Sequence, residues 1–271
     1  MRRRFAVGIE YEGSAYCGWQ IQSAAASVQG ALQAALSRVA DEPIGLICAG
    51  RTDAGVHARA QVAHFDTDAV RATHAWLLGA NTYLPADISL RWVRAVADHF
   101  HARYSARSRT YRYLILNRCA RSALAAGRAL LVHRALDVAA MQQGARWLLG
   151  EHDFSAFRSS ECQARSPVRD LRTVQLERAG DWVSIDLTAN AFLHHMVRNI
   201  VGLLIAIGLG YAPPERARQQ LESRARSQGA ATAAAQGLYL WQVEYPPEFG
   251  LPADSAMIAA TAGGDDSSAA I

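Results

Sequence analysis

Apolar residues in this chain recur now at strand spacing and now at helix spacing, and that alternation restricts the fold more than any other feature. Phe5, Val7, Ile9 and Tyr11 fall on one face of a strand that Gly13 and Ser14 end. From Ser27, an N-cap residue, Val28, Leu32, Ala35, Leu36 and Val39 recur at helical spacing. Residues 44–48, 61–65 and 88–96 predict strands, with a helix over 74–80 between the last two. The pattern then restarts. Residues 108–116 predict a strand with Tyr111, Tyr113 and Ile115 on one face. Asp137 caps a helix carrying Val138, Met141, Ala145, Leu148 and Leu149, which Gly150 ends. Strands over 171–178 and 182–188 precede a long apolar helix from Phe192 to about residue 209. Pro213 and Pro214 open a helix over 215–224, and residues 238–245 close the core as a strand.

Strands that follow one another directly imply α+β sheets covered by helices rather than a doubly wound parallel fold. The restart implies two domains, residues 1–104 and 105–247, each an antiparallel-rich mixed sheet with helices, and an active-site cleft between them. Residues 248–271 thin into Gly, Ser, Ala and Asp and predict a disordered tail.

Composition narrows the class. A chain that is 51% hydrophobic and 19% charged is ordinary globular material. The longest apolar run, residues 200–209, is too short to span a bilayer, and Phe5 onward alternates like a strand rather than a secretory leader. Cys17, Cys48, Cys119 and Cys162 form no C-x-x-C pair and read as reduced thiols, so a soluble cytoplasmic protein without zinc or redox chemistry is expected. All 28 Lys/Arg positions are arginine. A GC-rich genome is one reading of that bias, and planar forks for phosphates and bases are the other. Before Glu248 these 28 arginines face 20 acidic residues, an excess that favours a polyanionic partner.

The chain has no P-loop, no dinucleotide fingerprint, no nucleophile elbow and no H-E-x-x-H. His194 and His195, read as helical neighbours about 100° apart, favour packing or hydrogen bonding over metal binding. What remains is C-A-G-R-T-D-A-G-V-H-A at residues 48–58, a strand end entering a glycine-flanked loop with Arg51 and Asp53. Its glycines allow close approach of a ligand, whereas Asp53 equally suits a turn in which it bonds nearby amides. Local sequence alone leaves both readings open.

This segment resembles the signature loop of the bacterial tRNA pseudouridine synthase A family. Five other segments resemble that family in the same order: G-I-E-Y-E-G-S from Gly8, G-W-Q at Gly18, R-T-Y-R-Y at Arg109, F-x-x-H-M-V-R-N-I-V-G from Phe192 and G-L-Y-L at Gly237. The likeness covers roughly residues 5–247. Glu12 stands where aspartate is commoner, and Ala235 replaces a common proline.

The resemblance implies a cofactor-free, metal-free isomerase that detaches a uridine base, rotates it and rejoins it through C5. It implies that Asp53 is the catalytic carboxylate, acting covalently or through elimination. Arg198, otherwise an arginine emerging from an apolar helix or tied to helix-end carbonyls, becomes its ion-pair partner. Tyr111, otherwise core, becomes the ring stacked on the target base, with a hydroxyl available for proton transfer. Leu238, equally readable as core, closes the pocket. Arg51, otherwise a surface salt bridge, contacts the displaced nucleotide; His57, Arg59 and Gln61 line the same cleft. Arg103, Arg107, Arg109 and Arg112 are expected on phosphates. The implied substrate is the anticodon stem-loop of tRNA at tRNA positions 38, 39 and 40, held by shape and backbone rather than base reading, by a homodimer. The rivals are an inactive tRNA-binding or RNA-folding protein and a nucleoside hydrolase, the latter normally needing a second carboxylate.

Overall fold

The computed structural model describes residues 2–226 and 229–252. Strand β1 (Arg3–Tyr11) buries Phe5, Val7, Ile9 and Tyr11 as its alternation requires. It pairs antiparallel with β3 (His57–Thr67) on one side and β4 (Ile88–Val96) on the other. Helices α1 (Val28–Ala40) and α2 (Thr73–Tyr83) pack on each other, and α2 also packs on β4. Phe5 stacks on its register partner Phe65 at 5.6 Å, and buried Trp76 of α2 meets both rings. Such an aromatic cross-strand pair contributes about 0.5–1 kcal/mol beyond its burial.

Ser27 caps α1 as expected, its hydroxyl accepting the Gly30 N–H at 3.2 Å. The strand expected over 44–48 shrinks to β2 (Ile47–Cys48). The cause is helix α1, because the Ile44 amide donates to Ser37 and the Leu46 amide to Gln33 rather than to a neighbouring strand.

In the second half β5 (Ser108–Asn117), β9 (Trp182–Ala189), β8 (Val168–Ala179) and β7 (Gly150–Asp153) pair antiparallel in that order. A short β6 (Leu130–Val132) runs parallel to β5. Helix α3 (Val138–Arg146), capped by Asp137, packs on β8 and on α4 (Met196–Gly208), with α5 (Arg216–Ser223) beside them. Helix α4 buries nine of its thirteen residues on one broad face, and none of the other four is fully exposed.

The last strand, β10 (Leu238–Glu244), enters the middle, parallel to β3 and antiparallel to β5. It joins all the described strands into one ten-stranded sheet ordered β4-β1-β3-β10-β5-β9-β8-β7, with β2 and β6 off that path. Strands and helices mixed in this way make the α+β class that the sequence predicts. No described helix is long and apolar enough to cross a membrane. Residues Pro247–Phe249 form a 3-10 turn whose Phe249 ring meets Phe100 at 5.0 Å. Residues 253–271, most of the expected tail, lie outside the described residues.

Candidate active site

Asp53 sits in the loop between β2 and β3, and that loop is held at almost every residue. Ala49 donates its N–H to Val62 at 2.7 Å, and the Ala49 carbonyl accepts from Arg109 at 3.0 Å. The Gly50 carbonyl accepts from buried Gln61 at 2.6 Å. Thr52 shares a 2.7 Å buried bond with the Tyr11 hydroxyl, and its carbonyl accepts from Trp19 at 3.0 Å. Gly55 donates to Tyr16 at 3.3 Å. Gly18 makes this packing possible: with φ +87° it takes a conformation that suits glycine, and a Cβ there would lie 2.6 Å from the Thr52 carbonyl oxygen. The segments around Tyr11 and Gly18 therefore act as a mould for residues 49–55.

Three basic side chains converge on the Asp53 carboxylate. Arg198, in the first turn of α4, reaches Oδ2 at 3.2 Å and donates from Nε to the Ala233 carbonyl at 2.8 Å. His194 Nε2 lies 3.2 Å from Oδ1 and His195 Nε2 lies 3.4 Å from Oδ2. Their rings face each other with centroids 4.2 Å apart. The positive end of α4 adds to this potential, since His195 is its N-cap and Arg198 its third residue. Burial pushes the His195 imidazole below its ordinary value, against the opposing pull of Asp53.

The histidine pair is what sequence reasoning missed. The expected helix began at Phe192, which would splay adjacent side chains apart. Instead His195 adopts φ 62°, α4 starts at Met196, and both imidazoles turn toward the same carboxylate. The only signal was the position of the His-His pair, just ahead of an arginine already assigned to Asp53.

Tyr111 is buried on β5, edge-on to Phe192 at 5.1 Å, with its hydroxyl over Gly50. Burial, with the charge of Asp53 adding to it, lifts this phenol well above the ordinary tyrosine value, so it stays protonated at neutral pH. Tyr113 is core, donating its hydroxyl to Ala234 at 2.8 Å. Leu238 is buried as the register partner of Tyr113, while Leu240 stands opposite Tyr111.

His57 is 1% exposed and serves as a tie between loops. Its Nε2 faces the Gly127 and Gln236 carbonyls at 3.0 and 3.1 Å, and its Nδ1 accepts the Gly13 N–H at 3.0 Å. Glu12 also approaches Nδ1 at 3.1 Å, but the fixed amide hydrogen of Gly13 already occupies that lone pair. Arg51 is exposed and makes no hydrogen bond or ion pair with another described residue. Arg59 lies over the Trp241 ring at 4.6 Å.

Arg103 and Arg107 are exposed, as phosphate contacts require, but Arg109 and Arg112 are not available for that role. Arg109 is buried, bonding the Ala49, Arg103, Ala106 and Asn190 carbonyls, and so it braces the Asp53 loop. Arg112 forks onto Asp186 at 2.7 and 2.6 Å and stacks on Trp241.

A sequence profile described as tRNA pseudouridine synthase matches residues 8–105 and 145–246. The chain is 52% identical over 252 residues to the tRNA pseudouridine synthase A of Methylococcus capsulatus, covering 93% of each. Identity is 53% to the protein of that name from Coxiella burnetii, covering 92% of this chain and 95% of the relative. The chain belongs to the tRNA pseudouridine synthase family. Membership makes it a pseudouridine synthase, an isomerase. Asp53, Arg198, His194, His195 and Leu238 lie inside the profile's matched segments, and Tyr111 lies between them.

Proposed function

We propose that this chain converts uridine to pseudouridine in the anticodon stem-loop of tRNA, at tRNA positions 38 to 40, with Asp53 as the reacting carboxylate and an extruded base as its target. The observation that carries the reading is the fixed Asp53 carboxylate, held by Arg198 and flanked by His194 and His195 beside the Tyr111 ring. Isomerisation breaks the bond from C1′ to N1 and makes one from C1′ to C5. The C5 proton then leaves and N1 gains one, so the reaction is redox-neutral and needs no external energy source. Asp53 takes part in the first bond change, by covalent attack or by assisting elimination. Arg198 holds its direction through the second bond to Ala233. Tyr111 presents its ring to the base and, being protonated, offers its hydroxyl as a hydrogen-bond donor. Leu238 keeps water from the intermediate. His57 and Gln61 act by holding loops.

Residues 1–104 and 105–247 act as two domains that grip the RNA, with Arg51, Arg103 and Arg107 on phosphates, in a cytoplasmic homodimer that needs no cofactor. The basic surroundings of Asp53 favour this over nucleoside hydrolysis, which calls for a second carboxylate at a set distance. The test is to incubate unmodified tRNA with the protein and map pseudouridine along the product. Modification confined to positions 38–40 is expected; modification confined to another loop removes the anticodon assignment.

A further inference from the structure

Asp53, His194 and His195 each bring one ligand atom to a common point, all within 4.8 Å of one another. In a tetrahedral zinc site with bonds of about 2.0–2.1 Å, ligand atoms stand about 3.3–3.4 Å apart. His194 Nε2 lies 3.2 Å from Oδ1 and His195 Nε2 lies 3.4 Å from the other oxygen, Oδ2, so the two imidazoles bracket the Asp53 carboxylate. Both separations are longer than the roughly 2.7–2.9 Å of charge-assisted hydrogen bonds, and a small shift of the carboxylate that offers one oxygen to both nitrogens closes the tetrahedron. The three side chains are only partly covered, between 21% and 34% exposed. His195 also lines a polar cavity of about 470 Å³ with Ser159, Asn199, Arg226 and Thr232, which gives an ion and its waters a way in.

From this geometry we infer that the Asp53–His194–His195 cluster is a site for a divalent transition metal of the zinc class, with water in the fourth position. Two nitrogens and a carboxylate suit such an ion better than magnesium or calcium, which prefer oxygen. The ion occupies the carboxylate that the proposed reaction needs. The site is therefore inhibitory, a consequence that rests on the catalytic reading of Asp53. Arg198 opposes the ion, because its guanidinium holds Oδ2 from the other side. It need not leave, since its Ala233 bond is independent of the carboxylate. Neither imidazole Nδ1 is hydrogen-bonded to another described residue, so no described protein group braces the two rings from behind.

Zn²⁺ is titrated calorimetrically into the full chain carrying Cys17→Ser and Cys119→Ser, which removes the two exposed thiols. One ion per chain is expected, and Co²⁺ in its place gives tetrahedral visible bands without a thiolate charge-transfer band. Replacing both histidines, His194→Gln with His195→Gln, weakens binding by about 100-fold or more. Arg198→Met tightens it, because a competing cation is gone. A loss of fold in the histidine variant is visible in its thermal melt, and the tightening in Arg198→Met runs opposite to any effect of misfolding. Unchanged affinity in the histidine variant, a thiolate band, or weaker binding in Arg198→Met overturns the site. Tritium release from C5-labelled tRNA is followed in parallel and is expected to stop at saturating Zn²⁺ and return with chelator. Release that continues while the ion binds with these dependences leaves the metal site standing and removes the catalytic role of Asp53.

Discussion

At the scale of single residues, Arg198 does two things with one planar group. One guanidinium nitrogen meets Asp53 and another meets the Ala233 carbonyl, so the direction of the ion pair is fixed by a second, independent bond. A lysine ammonium has charge but no fork, and it cannot satisfy both at these angles. Arg198→Lys is therefore expected to lower kcat by about 100-fold, the scale on which an ångström of misplacement acts, with little change in KM. Steady-state tritium release checks this, and a raised KM with kcat unchanged would mean that Arg198 binds RNA instead. A similar economy explains Arg109. Its sequence position suggested phosphate, yet burial and four carbonyl partners make it a brace for the Asp53 loop.

At the scale of elements, the Asp53 loop depends on a turn distant in sequence. Gly18 lies against the Thr52 carbonyl at a backbone angle that non-glycine residues rarely adopt, so Gly18→Ala must either clash or move the loop. The expected cost is about 1–3 kcal/mol for the strained conformation, together with a fall in kcat. A melt and a kinetic run on the same variant test it; a variant as active and stable as the parent would show that the loop does not need this mould. This is also the scale at which sequence reading succeeded and failed. Caps and alternation placed β1, α1 and the start of α3 because those signals are local, as with Ser27 and Asp137. The shortening of β2 was hidden, because it is decided by side chains of α1 that capture the Ile44 and Leu46 amides. The late start of α4 was hidden too, since nothing in Phe192 to Met196 announces a left-handed histidine. That single backbone angle brings two imidazoles to Asp53.

At the scale of the whole molecule, the restart in the sequence pattern gave two halves, but the central place of β10 was not legible. The last described strand inserts between β3 and β5 and so pairs an edge that each would otherwise leave open. The arginine excess belongs to this scale as well. Replacing exposed Arg51, Arg103 and Arg107 with glutamine is expected to weaken tRNA binding and flatten the dependence of log K on log salt, by about 0.7–0.9 per lost phosphate contact. Binding isotherms at several salt concentrations measure that slope, and an unchanged slope would place the RNA on another face. For the role of Asp53 the most direct measurement is tritium release from C5-labelled uridine in unmodified tRNA by the parent and by Asp53→Asn, with tRNA binding measured for both. The expected result is release by the parent, none by the variant above background, and tRNA affinity for the variant within a few-fold of the parent; sustained release by a folded Asp53→Asn protein would contradict it.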